Sequence, residues 1–177
     1  MKTLSSASYV LATGHPVIDT QHEQLADLTG RLEHICVLRQ QTGVSCSQCS
    51  PDFHLSCTNR LADLIGELIG FMVTHFAYEE GLMRQLPATD ACRQHTAAHQ
   101  LAHADISQKL NELTQKLDDE NPMECSLRLY KIITSWMGDH TALLDADLAS
   151  ELAKACETEI HYDVELAKLL GESAAAA

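Results

Sequence analysis

The stretch from about Asn59 to Leu86 constrains this chain more than any other. Leu61, Ile65, Leu68, Met72, His75, Glu79, Leu82 and Leu86 recur in steps of three and four, and Pro87 follows directly. That is the period of one helix face turned towards a core, and a proline is a natural stop for it. Two of the eight positions, however, are polar. An ionised carboxylate buried without a partner costs several kcal/mol or more. His75 and Glu79 therefore imply either a hydrogen-bonded pair inside the core or a bound metal, and the pentapeptide HFAYE alone does not separate the two.

The rest of the chain supplies helices to pack against this one. A first segment spans about Ile18 to Arg39, with Ile18, Leu25, Leu32 and Ile35 on its apolar side. A third spans about Thr89 to Leu117, and a fourth about Met123 to Ala155 with Leu129, Ile132, Ile133, Trp136, Leu144, Leu148 and Leu152. Scarce glycine and proline (8 and 4) and 5% aromatic residues favour helix over strand. Short connections predict an all-α, up-down antiparallel four-helix bundle over residues 18–155. Residues 1–17 read as an N-terminal arm. Residues 156–177 read as an extra amphipathic helix or linker, a candidate homodimer contact, closed by a run of four alanines. A formal charge of −13 argues against nucleic acid and anionic membrane surfaces. With no apolar signal core and no uninterrupted apolar run of spanning length, the expected setting is cytoplasmic, away from membranes.

Ten histidines are many for such a chain, and three stand in a column in HTAAHQLAH (95–103). At about 100° per residue, Ala102, Ile106, Leu110, Leu113 and Leu117 average about 20° from the direction of His95. His95 and His99 straddle that mean, and His103 lies about 60° from it, towards the flank. His95 and His99 are thus the inward candidates, able to hold one metal ion from one helix face, with His103 in reserve. The first helix adds His22, level with Ile18 and Leu25. The fourth adds His140 one turn after Trp136, and Asp145 five residues later. Five residues carry an α-helix about 140° past a full turn, so Asp145 should address a second ion beside the one that His140 holds. Five histidines (His22, His75, His95, His99, His140) and two carboxylates (Glu79, Asp145) on four helices suit a pair of iron ions in a bundle core.

In these residues the chain resembles the hemerythrin family, specifically its bacterial members, over about residues 8–155. The likeness rests on G-x-P-x-I-D-x-Q-H (Gly14–His22, with His15 after the glycine), H-F-x-x-E-E-x-L-M (His75–Met83), H-x-x-x-H (His95, His99) and W-x-x-x-H-x-x-x-x-D (Trp136–Asp145). The resemblance implies that His95, His99 and His140 hold one iron and His22 and His75 the other. Glu79, Asp145 and an oxo or hydroxo bridge would join the two. One iron is then filled and the other keeps a position open for dioxygen, inside an apolar pocket for which Met137, Trp136, Ile18 and Leu25 are candidate walls. The chain departs from the family in the distance from Pro87 to His95, which leaves His99 with His103 as a second candidate pair. A sixth imidazole from His103 would close the open position.

A further departure is the connection QQTGVSCSQCSPDFHLSCT, about residues 41–58. Loops this long in a compact bundle are usually functional or disordered. Cys46 and Cys49 form a C-x-x-C with Cys57, His54 and Cys36 nearby. That set fits a zinc site, a thiol–disulfide switch or an uncommitted loop. Seven cysteines cannot all pair, and in a cytosolic setting thiols are the default.

The leading functional reading is a non-heme diiron domain that binds dioxygen and senses oxygen or redox state, as the input of a larger signalling protein with a covalently linked output domain. A second is oxygen or iron storage and delivery. A third, enzymatic handling of nitric oxide or peroxide, needs a proton-delivery group, for which His103 or Glu80 would have to serve.

Overall fold

The computed structural model describes residues 12–36, 46–117 and 121–155. The expected N-terminal arm up to residue 11, residues 41–45 of the long connection and the expected C-terminal helix with its dimer contact lie outside the described residues.

Each helix begins where local chemistry starts one. α1, Pro16–Arg31, has proline in its first turn, and the stretch before it is tied down by Asp19. Asp19 accepts from Thr13 N–H (2.7 Å), Thr13 hydroxyl (2.8 Å) and Gly14 N–H (3.2 Å). Gly14 makes the turn at φ +86°, a conformation that favours glycine. α1 ends earlier than the sequence suggested and tightens into a 3-10 turn, Leu32–His34. α2, Pro51–Met83, begins a full two turns before Asn59. The start is written in S-P-D: Ser50 caps the helix by accepting from Phe53 N–H, Pro51 fills the first turn and Asp52 meets the positive end of the dipole. The last described part of the connection before α2 carries a 3-10 turn at Cys46–Gln48. α3, Asp90–Thr114, is capped by Thr89, and α4, Pro122–His140, by Asn121 with Pro122 following. α4 runs through a π-turn, Thr141–Asp145, into a last helical segment, 146–155.

These helices pack as the expected up-down bundle, with no strand among the described residues. Arg31 holds Glu67 across α1 and α2 (2.5 and 2.8 Å), and Ser126 at the start of α4 donates to Leu32 O at the end of α1 (2.7 Å). By length and hydropathy α2 could cross a membrane. Here its apolar stripe from Leu61 to Met83 is core, and it carries His75 and Glu79 fully buried.

The core has two apolar parts. The larger includes Leu25, Leu61, Leu68, Met72, Ile106, Ile133 and Met137; the smaller is Ile18, Met83 and Leu148. On α1 these flank His22, on α2 they flank His75 and Glu79, and on the fourth helix they flank His140 and Asp145. A polar layer thus lies between two oily ones.

Candidate metal centre

Seven side chains fill that layer, each at most 4% exposed: His22, His75, Glu79, His99, His103, His140 and Asp145. Their ligand atoms gather as two groups. One is Glu79, His99, His103 and His140; the other is His22, His75, Glu79 and Asp145.

The two carboxylates are shared between them. Glu79 turns Oε2 towards His103 (3.1 Å), His99 (3.3 Å) and His140 (3.6 Å), and Oε1 towards His75 (3.3 Å). Asp145 turns Oδ1 towards His140 (3.1 Å) and His99 (3.2 Å), and Oδ2 towards His22 (2.9 Å). Each carboxylate therefore faces both groups, one oxygen to each.

The His103–Glu79 contact is a hydrogen bond, but not every short distance here is one. His22 Nε2, His75 Nε2, Glu79 Oε1 and both Asp145 oxygens are buried and make no hydrogen bond. Each such group costs about 1–3 kcal/mol if left without a partner. Donor atoms this close, yet not directed at one another, fit a ligand set aimed at a common point. The residues present therefore fit a cation in each group.

Neighbouring groups set the rings. His75 Nδ1 donates to Gln21 Oε1 (2.9 Å), which leaves Nε2 to face Glu79. Phe76 stacks on His103 with centroids 3.9 Å apart, and Trp136 on His140 at 4.3 Å. Gln21 stands inside the I-D-x-Q-H motif, so its role was open to sequence reasoning; the Phe76 contact was not.

The electrostatics agree with a site built for positive charge. Burial pushes the His75 imidazolium down to about 4 against the pull of Glu79 and Asp145. Burial acts likewise on His99, but Asp145 and Glu79 win and lift it to about 9. His140 is raised for the same reason. Burial would raise the two carboxyls, yet the surrounding histidines hold both below the usual range, His103, His140 and His99 acting on Glu79, and His140, His22 and His99 on Asp145.

The placement of the third-helix histidines differs from the sequence expectation. His99 is inside, as expected, but its partner is His103, whereas His95 is half-buried and outside both groups, its Nε2 3.4 Å from His99 Nδ1. The buried face of α3 runs through Cys92, His99, His103, Ile106, Leu110 and Leu113. Ala102 is not fully buried, and counting it as core swung the expected direction towards His95. Height along the axis matters more. His103 lies opposite Glu79, and His95, two turns earlier, feels Asp147, Asp145 and Glu151 without joining either group.

Asp145 joins the second group, as expected, but not by turning away from His140. The π-turn widens the helix between His140 and Asp145, so the two face the same interior instead of diverging. Of the candidate pocket walls, Ile18, Leu25 and Met137 are buried and Trp136 is half-buried. Outside Trp136 and His140, a surface groove of about 550 Å³ runs between α3 and α4. Glu80 comes no nearer to His103 Nδ1 than 3.7 Å. His54, from the second candidate set, is exposed on the first turns of α2.

Neither a curated protein nor a solved structure matches the chain. A family model, the hemerythrin HHE cation-binding domain, matches residues 13–152. That span runs from the Thr13–Asp19 clasp past Asp145 and takes in all seven buried ligand candidates, so the chain belongs to the hemerythrin family of cation-binding domains.

Proposed function

We propose that the two groups hold one iron ion each, and that the chain binds dioxygen reversibly and reports oxygen or redox state. His99, His103 and His140 serve one ion, His22 and His75 the other, with Glu79 and Asp145 across both. The observation that carries this reading is the division of each carboxylate between the groups.

Donor arithmetic supports a vacancy. The first group offers three nitrogens and two oxygens, and the second two nitrogens and two oxygens. With one further oxygen ligand shared between the ions, the first side would be filled and the second would keep one position free. Because His103 takes the place expected for His95 and does not add to it, the total stays at five imidazoles.

When bound, a ferrous pair supplies the electrons with which a small oxidising gas is held. The chain's own side chains do the rest. Gln21 orients His75. Ile18 and Leu25 lie one turn either side of His22, and Met137 one turn before His140, all shielded from water. Dry surroundings slow loss of charged oxygen species. All four helices carry ligands, so a change at the bridging carboxylates acts on the whole bundle, which suits a sensory input coupled to an output domain.

Metal analysis with an optical spectrum, taken under air and after reduction, tests the reading. About two irons per chain and a charge-transfer band that responds reversibly to oxygen are expected. Zinc alone, or one metal per chain, overturns it.

A further inference from the structure

Four cysteines gather far from the buried centre. Cys36 follows the end of α1, fourteen residues beyond His22, and Cys57 is eighteen residues before His75 on α2. At 1.5 Å per residue these are separations of about 20 and 27 Å along the bundle. Between them in sequence, Cys46 opens the 3-10 turn that Cys49 N–H closes onto Cys46 O at 3.1 Å.

The thiols approach one another although they come from three separate pieces of chain. The Cys36 side chain is hydrogen-bonded to both Cys46 and Cys57, and Cys49 is close enough to act on each of those two. Cys36 and Cys46 are buried, and Cys49 and Cys57 half-buried. Arg60, one turn past Cys57, grips the carbonyls of Ile35 (3.4 Å) and His34 (3.3 Å), so the start of α2 is fastened to the chain beside Cys36. The Met123 N–H in the first turn of α4 donates to Asn121 Oδ1 at 3.0 Å and also reaches the Cys46 sulfur. No disulfide joins these residues.

We propose that Cys36, Cys46, Cys49 and Cys57 form a second metal site, a tetrathiolate centre for one soft divalent cation of the zinc class. Four sulfurs, two from a C-x-x-C turn, one from α2 and one from the chain that follows α1 and its 3-10 turn, match the donor set and count of a closed structural site. His54, exposed on the outer side, is not needed.

Among the described residues, only the two buried His–carboxylate groups already have their ligand atoms within 4.8 Å of one another. Loading here therefore draws the C-x-x-C turn inwards. Binding releases the thiol protons, four in all, and leaves a centre of net charge −2, which Arg60 and the Met123 N–H partly offset. A redox switch needs a thiol whose charged form is favoured. Burial and the neighbouring sulfurs push Cys46 and Cys57 above the ordinary thiol range, which disfavours them as attacking thiols and makes metal loading favoured by higher pH.

The test uses the reduced, metal-stripped full chain titrated with Co²⁺ and then Zn²⁺. Thiolate-to-cobalt charge-transfer bands with tetrahedral ligand-field bands are expected, displaced by about one Zn²⁺ per chain. In the wild type, Zn²⁺ should protect four thiols from alkylation. The double variant Cys46→Ser/Cys49→Ser should lose the bands and still load the buried histidine centre with iron, whereas Cys125→Ser should keep them. No thiolate bands, no thiol protection by Zn²⁺ in the wild type, or a disulfide among these cysteines formed in air in the presence of Zn²⁺ each overturns the proposal.

Discussion

His140 Nε2 lies 3.1 Å from Asp145 Oδ1 across five residues of chain, a span that an uninterrupted α-helix would turn away from itself. The π-turn does the work that an i, i+4 spacing does elsewhere, at the cost of one extra residue. Deleting Leu143, which is 64% exposed on that turn, should restore a regular helix with the aspartate four residues after His140. Iron content measured per chain should stay at about two. Inserting one alanine after Ala142 should abolish loading. If the deletion strips the metal instead, an i, i+4 spacing does not do the work of the turn.

The third helix offers a sharper contrast. His103→Ala removes an imidazole that faces Glu79 from 3.1 Å, and iron binding should fall to one ion per chain or none, by metal analysis. His95→Ala removes only the contact to the far nitrogen of His99. It should weaken affinity by about tenfold and leave the saturated stoichiometry unchanged. The reverse ranking would return His95 to the ligand set.

Protons compete with metal at His99. In the metal-free protein its folded pKa is about 9, against 6.5 ordinarily, so it is charged at neutral pH. A group with a raised folded pKa adds stability that is complete below the unfolded value and is lost as pH rises through the folded one. The metal-free protein should therefore lose stability between about pH 6.5 and about 9, followed by thermal unfolding at a series of pH values. Loading ferrous iron at pH 7 should release at least one proton per chain in a weakly buffered solution, His99 giving up its own while His75 is already neutral.

Asp19 tests the clasp at the other end of the family motif. Burial would raise its pKa, but the Thr13 and Gly14 hydrogen bonds prevail and lower it. Its stabilising effect is then present above the unfolded carboxyl pKa and disappears as pH falls through the lower folded value. Asp19→Ala should cost about 1 kcal/mol at neutral pH, read from denaturant titration, with the difference from wild type vanishing in acid. An unchanged midpoint at pH 7 would show that the clasp contributes nothing.

The amino-acid sequence by itself determined the four amphipathic helices and the polar residues set into their apolar faces, because periodicity is a local property of the chain. His22, His75, Glu79, His99 and His140 were legible as inward-facing on that ground, whereas periodicity alone turned Asp145 away from His140. The S-P-D start of α2 was equally local, and its signal was hidden only by the cysteines around it. Which histidine of the 95–103 column enters the layer was not local. Against the observed apolar face of Cys92, Ile106, Leu110 and Leu113, His95 and His103 deviate to opposite sides by comparable angles, and the height at which α3 meets Glu79 separates them. Tertiary structure also decided the π-turn. An α-helix widens where two side chains five residues apart must both reach one buried site, and nothing in T-A-L-L-D announces that in advance.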